Sequence, residues 1–260
     1  LKTEWQTFFP IARQKFKEID SLRPPEKVKM KKSNEFTPEK LVSIESILGK
    51  TNVAQALRKQ SVCASKNGDF KTVFSEMYIN MSALSELLKA GVDLVSNRWL
   101  FKYLTEMLDI RMLELLGKSP VKYLSSATSV NINIKTLLSE SFTVFDESLS
   151  DAVRKKIIIE IHVADIFNNM KAFVTAREML QKQGYRICLD GMDSLGFLQI
   201  DRSSLGFDLA KIHWNADEKS DAQSPENKQL MEAIEKCGSS RLILSRCDNK
   251  EAVEYGQSLG

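Results

Sequence analysis

Residues 156–190 read KIIIEIHVADIFNNMKAFVTAREMLQKQGYRICLD, and this stretch decides the fold class. It opens on an apolar run, Lys156–Ile161, continues through a segment with helical periodicity, Ala164–Gln183, and ends on a second apolar run, Arg186–Leu189. Short, continuous apolar runs are typical of strands that are buried on both faces of a parallel sheet. The stretch therefore predicts a strand–helix–strand unit with parallel strands.

The same alternation recurs on both sides of this unit. Five further strands are predicted, at Ser61–Ala64, Thr72–Ile79, Ser129–Ile132, Leu209–His213 and Arg241–Leu244. Further helices are predicted at Ser82–Lys89, Ser96–Leu116 and Glu226–Cys237. Seven strands that alternate with helices are too many for a small open sheet. The pattern therefore predicts an α/β fold with a closed, TIM-like (β/α) barrel over residues 51–260.

Residues 1–50 have a different character. Apolar positions with helical spacing, from Ile11 to Leu22, follow Pro10 and precede a pair of prolines, and a basic segment, Lys27–Lys32, comes next. Thr37 and Pro38 then form a typical helix start, and Gly49 a typical helix end. We predict a helical N-terminal extension with a basic linker, which packs on the barrel or on a partner because helices this short are marginal alone.

Composition excludes several classes of protein. The chain has 260 residues, 43% hydrophobic and 27% charged, and no run approaches the roughly 20 apolar residues of a membrane helix. The first ten residues lack the features of a signal peptide, so a cytoplasmic location is expected. A net charge of +3 is too small to indicate nucleic-acid binding. Two histidines and the lack of a CxxC pair exclude a His-rich or Cys-rich metal site.

Polar residues recur where the predicted strands end. They are Glu76, Asn131, Glu160, Asp190 and Lys211. In (β/α) barrels the carboxyl ends of the strands meet at one mouth, where the functional side chains collect. Oxygen ligands of this kind suit Mg²⁺ or Mn²⁺. The alternative is structural pairing, above all between Glu76 and Lys211 across the barrel mouth, because a buried carboxylate needs a partner.

These strand ends carry a resemblance to a known family. KQGYRICLDGMD at 182–193 resembles the L-x-x-x-G-x-x-I-A-L-D-D-F-G motif of EAL domains. Four further segments resemble or stand in place of EAL motifs in the same order: SVNIN at 129–133 for V-N-L-S, IIEIHV at 158–163 for L-E-I-T-E, FDLAKI at 207–212 for V-D-x-x-K-I-D, and SRLILSRCD at 240–248 for V-V-A-E-G-V-E. The signature triplet is the weakest match, since SEMY at 75–78 stands where E-A-L is expected.

The resemblance implies an EAL-type barrel of bacterial signal transduction that takes cyclic di-GMP at its mouth. In active members carboxylates and an asparagine hold two divalent ions, which activate a water for attack on a phosphodiester. Carried over by position, Glu76, Asn131, Glu160 and Asp190 would be metal ligands. Lys211 would contact the attacking water or a phosphate.

Several departures from the motifs point away from catalysis. Gly191 replaces the second aspartate of D-D-F-G, and Ser245 stands at the position of the general base. Val163 replaces the second glutamate of L-E-I-T-E, and His213 replaces the aspartate of K-I-D. Asp248 keeps a carboxylate at the last glutamate position. The resemblance therefore implies a degenerate EAL-like barrel in which no catalytic set is intact.

The expected function is that of a catalytically inactive EAL-like module, a scaffold or localisation factor with a protein partner or a second copy of the chain. One alternative is a receptor that binds cyclic di-GMP without cleaving it, and another is an active metal-dependent phosphodiesterase. No cofactor is expected, and Mg²⁺ or Mn²⁺ only where a residual metal site survives. The candidate ligand-binding residues are Glu76, Asn131, Glu160, Asp190, Lys211 and Asp248.

Overall fold

Two strands that are close in sequence begin the sheet. In the computed structural model, which describes residues 35–66, 69–201, 204–215 and 225–259, β1 (Leu57–Lys66) and β2 (Asp69–Ile79) form an antiparallel hairpin. The all-parallel sheet expected from the sequence is wrong for β1. The reason is the connection: only Asn67 and Gly68 join the two strands, whereas parallel neighbours need a crossover of a dozen or more residues.

The remaining strands are parallel, and the sheet follows the chain in the order β1 to β7. They are β3 (Thr128–Asn131), β4 (Ile157–His162), β5 (Arg186–Met192), β6 (Leu209–His213) and β7 (Leu242–Ser245). Each predicted strand is present, with its ends moved by a few residues. The α/β fold class and the nearly closed seven-stranded barrel are therefore confirmed.

Helices connect most of the strands. They are α1 (Pro38–Leu48), α2 (Met81–Leu88), α3 (Arg98–Lys118), α4 (Pro120–Tyr123), α5 (Ile134–Leu137), α6 (Glu140–Glu147), α7 (Asp151–Arg154), α8 (Val163–Asn168), α9 (Met170–Gln183), α10 (Ser194–Gln199), α11 (Pro225–Cys237) and α12 (Lys250–Ser258). Two short 3₁₀ turns occupy Val53–Gln55 and Ser239–Arg241. The single helix predicted over 164–183 is in fact α8 and α9. Asn169 separates them, since its side chain accepts from the backbone N–H of Ala172 at 3.0 Å and so caps a new helix.

Helix α1 begins and ends as its sequence predicts. Thr37 accepts from the N–H of Lys40, Pro38 is the first helical residue, and Gly49 follows the last turn. The buried side chains of α1 share one core cluster with those of α2 and α3, including Leu84 and Leu104. Phe36–Gly260 forms one compact unit. The helix predicted over 11–22 and the basic linker lie outside the described residues, so the extension as a whole stays a prediction.

An apolar layer fills the lower part of the barrel. It contains Val62, Phe74, Ala127, Ile158, Cys188, Leu209 and Ile243, so nearly every strand contributes to it. Because β1 and β7 both reach this cluster, the two edge strands face one interior. Side chains two residues apart in a strand point to the same side, so the next inward positions define the mouth. No helix in the described part of the chain has the length and apolar character needed to cross a membrane.

Candidate functional site at the barrel mouth

The polar strand-end residues stand two positions beyond the apolar layer. Glu76 follows Phe74 in β2, Glu160 follows Ile158 in β4, and the same spacing gives Asp190, Lys211 and Ser245 in β5, β6 and β7. Asn131 ends β3 and pairs in register with Glu160. The strand alternation therefore turns these residues toward the same interior as the apolar cluster, as expected from the sequence.

Four of these residues form one bonded network. The Nζ of Lys211 donates to Glu76 Oε2 at 2.7 Å and to Glu160 Oε2 at 2.5 Å. The Nδ2 of Asn131 donates to Glu76 Oε1 at 3.0 Å and to Glu160 Oε2 at 3.1 Å. The side chains of Lys211 and Glu160 are only 4% and 0% exposed. The pairing of Glu76 with Lys211, considered above as the structural alternative, is thus present and extends to Glu160.

Burial and the neighbouring charges have opposite effects on the pKa of Glu160 and on that of Lys211. Burial raises the pKa of Glu160 to about 7, and Glu76 adds to the rise, whereas the ammonium of Lys211 lowers it. Burial alone would lower the pKa of Lys211, but the neighbouring carboxylates Glu160 and Glu76 outweigh that effect and raise it. Lys211 therefore remains charged near neutral pH, and its charge favours the ionised form of Glu160.

The arrangement of the network does not fit a divalent ion. Lys211 places its positive charge between the two glutamates, and Asn131 turns its N–H donor rather than its oxygen toward them. One buried oxygen, Glu160 Oε1, has no hydrogen-bond partner among the described residues. Within the bonded network, one free oxygen does not make a coordination shell of six for Mg²⁺. Within the ranges that the structure describes, no group of three or more His, Cys, Asp or Glu side chains could hold a metal.

Asp190 lies beside this network rather than in it. It pairs in register with His162 on β4, and the register between β5 and β6 shifts between Leu189 and Met192, the interval that contains it. Gly191 has a φ of +84°, a left-handed value that suits glycine, and the His162 ring lies directly against it. Burial lowers the pKa of both His162 and His213, and the negative charge of Asp190 opposes that fall in each case. Asp190 lies within β5 and is therefore neither a turn residue nor a helix cap.

Ser245, which stands at the position expected for a general base, contacts a histidine. Ser245 Oγ lies 2.7 Å from His213 Nδ1, and its second neighbour is the carbonyl of Ile212 at 3.3 Å. Partial burial lowers the pKa of His213, although Asp190 raises it, so the imidazole is neutral at pH 7. Asp248 is exposed on the loop after β7 and lies outside the bonded network. No local signal in the sequence indicated this pairing, because 32 residues separate His213 from Ser245.

A second polar cluster anchors the segment that follows β3. Asp109, buried in α3, accepts from the backbone N–H and the side-chain amide of Asn133, at 2.8 and 2.6 Å, and from Thr136. Lys102 donates to the Asn133 side chain and forms an ion pair with Asp165 in α8 at 2.6 Å. This cluster joins α3, the end of β3 and α8. It therefore holds the two strand ends that carry Asn131 and Glu160.

The fold is the EAL-type barrel of several solved proteins. The LapD S helix–GGDEF–EAL chain of Vibrio cholerae bound to c-di-GMP is similar with a TM-score of 0.57 and 14% identity, over 84% of this chain and 54% of that chain. The EAL domain of Xanthomonas citri FimX in complex with c-di-GMP gives 0.54 and 10%, over 85% and 90%. The PaMucR phosphodiesterase in its c-di-GMP complex gives 0.51 and 14%, over 79% and 90%.

At these identities the likeness establishes the architecture. No family model and no curated protein matches the sequence. The chain spans about half of the LapD chain, 54%, because that chain also contains an S helix and a GGDEF region. The residues at the barrel mouth of this chain therefore have to indicate what it binds.

Proposed function

We propose that this chain is a non-catalytic EAL-type module that acts in bacterial signalling through a protein partner, as a scaffold or localisation factor. The observation that carries the proposal is the position of Lys211, whose ammonium bonds both Glu76 and Glu160. These are the carboxylates that the resemblance assigns to metal binding. Ser245, at the general-base position, carries a hydroxyl, which cannot accept a proton at neutral pH, and it pairs with His213 Nδ1 at 2.7 Å.

An exposed apolar stripe on α3 supports the interaction role. Trp99 and Tyr103 form this stripe; they are four residues apart in α3 and are 83% and 48% exposed. Residues four apart lie on one face of a helix, so the two rings share one face of α3. Val95, 52% exposed, lies in the turn just before the helix. A tryptophan is costly to leave in water and is enriched at the centres of protein interfaces.

A second candidate function is a receptor for cyclic di-GMP that does not cleave it. The observation that favours it is the set of similar solved structures, since LapD of Vibrio cholerae and FimX of Xanthomonas citri were both solved with c-di-GMP. In this chain Lys211 and Asn131 would be the donors nearest to a phosphate. Their present bonds to Glu76 and Glu160 would have to be exchanged for ligand contacts.

The deciding experiment measures binding and turnover on the same sample. Titration calorimetry with cyclic di-GMP, with and without Mg²⁺, should show no heat of binding, and chromatography should show no linear dinucleotide. Binding without product would favour the receptor. Turnover that depends on Mg²⁺ or Mn²⁺ and is lost in Glu76→Ala would overturn the proposal.

The interaction role has its own test. Cross-linking in cell extract, followed by mass spectrometry, should recover a protein that Trp99→Ser loses and Val121→Ser retains. Val121 is a matched control because it is 84% exposed but lies on α4. Equal recovery by both variants would remove the α3 stripe as the contact surface.

A further inference from the structure

The contact between His162 and Gly191 is separate from the Lys211 network. A Cβ atom placed on Gly191 would lie 2.3 Å from His162 Nε2, 2.6 Å from Cδ2 and 2.7 Å from Cε1. Atoms in real structures do not approach so closely, so the bare Cα of Gly191 is the surface against which the imidazole rests. The left-handed φ of +84° independently disfavours any side chain there.

The imidazole is fixed from its other side as well. His162 Nδ1 accepts the backbone N–H of Ala164 at 3.1 Å, and so caps α8. A nitrogen that accepts a hydrogen bond in neutral imidazole carries no proton, so the proton lies on Nε2, the atom that faces Gly191. The ring is therefore held between the start of α8 and the backbone of β5. In this position the ring both caps α8 and rests on Gly191.

We infer that His162 and Gly191 form an interlocked pair that sets the shape of the mouth beside Asp190. His162 is a positioning residue, and Gly191 is the surface on which it rests. While the ring stays in place, position 191 can hold no side chain, and therefore no second carboxylate next to Asp190. The view that the missing second carboxylate prevents catalysis rests on the proposed function. The steric exclusion of a side chain at position 191 does not.

The test compares four variants by thermal unfolding. Gly191→Ala should lower Tm by about 6–12 °C, because strain, the clash and the lost cap act together. Gly184→Ala is the matched control: its φ is +85°, but nothing lies within 4 Å of the added Cβ. It should lower Tm by only about 2–6 °C. His162→Asn alone should change Tm by less than about 3 °C, since asparagine is shorter and also caps helices.

The double variant His162→Asn/Gly191→Ala tests whether the His162 ring is what excludes a side chain at position 191. It should recover Tm to the level of Gly184→Ala, because the clash is gone and only the backbone strain remains. Hydrogen exchange at the Ala164 amide gives a second readout: protection should be lost in Gly191→Ala and return in the double variant. Additive losses of Tm, or an Ala164 amide that stays protected in Gly191→Ala, would overturn the inference. Neither result depends on whether the protein binds or cleaves cyclic di-GMP.

Discussion

Replacing Lys211 by methionine tests the charge balance at the mouth most directly. The change keeps the length of the side chain but leaves Glu76 and Glu160 facing each other without the ammonium that now lies 2.7 and 2.5 Å from them. Removal of one member of a buried ion pair costs about 3–5 kcal/mol, and no discount for solvent applies since Lys211 is 4% exposed. For a chain of this size that corresponds to a fall in Tm of roughly 6–20 °C.

The loss should also grow with pH. In the folded protein Lys211 lowers the pKa of Glu160, so its removal moves that pKa further above the ordinary glutamate value of 4.5. A folded-state pKa above the unfolded value means that the folded form binds more protons, and stability then falls as pH rises. Thermal unfolding followed by circular dichroism should therefore show a larger difference between Lys211→Met and wild type at pH 8 than at pH 6.

The control is the same substitution at an exposed pair. Lys135 bonds Glu106 at 2.7 Å but is 74% exposed, so Lys135→Met should cost no more than about 1 kcal/mol. Adding Glu160→Gln to Lys211→Met should restore part of the stability, because a neutral amide leaves one unpaired charge fewer. If Lys211→Met unfolds at the same temperature as Lys135→Met at both pH values, the network does not stabilise the barrel as argued.

Three further results are expected. Burial raises the pKa of Asp109 from 3.8 to about 7, so the unfolding free energy of the wild type should fall between pH 5 and pH 7. In urea titrations Asp109→Asn should reduce this pH dependence by up to about 1.4 kcal/mol per pH unit. An unchanged slope of unfolding free energy against pH would contradict the reasoning. Tyr185→Phe removes a 2.8 Å bond to Asp146 and should lower the unfolding free energy by about 1–2 kcal/mol, a result contradicted by an unchanged urea midpoint. Mn²⁺ at about 1 mM should leave Tm unchanged, since the mouth does not fit the ion; a manganese-soaked crystal with an ion at about 2.0–2.3 Å from Glu160 and Asp190 would show otherwise.

Much of the fold could be predicted because its signals are local. Apolar runs of four to eight residues gave all seven strands, and the spacing of apolar residues gave the long helices. The predicted helix bounds and strand direction were wrong where a single polar residue or a short connection overrides the apolar pattern. Asn169 ends one helix and begins another, and the Asn67–Gly68 connection makes β1 antiparallel.

The sequence by itself determined the strand–helix order and the polar residue at each strand end, because both depend on neighbours within a few positions. It left open whether those residues meet a metal or one another. Tertiary structure decided this, since Lys211 is 135 residues from Glu76 and 51 from Glu160, and only the curling of the sheet brings their atoms within bonding distance. The contact of His162 with Gly191 likewise arises from two adjacent strands and a left-handed backbone. Hydrophobic patterns specify which side chains face the interior, and barrel closure specifies which of them touch.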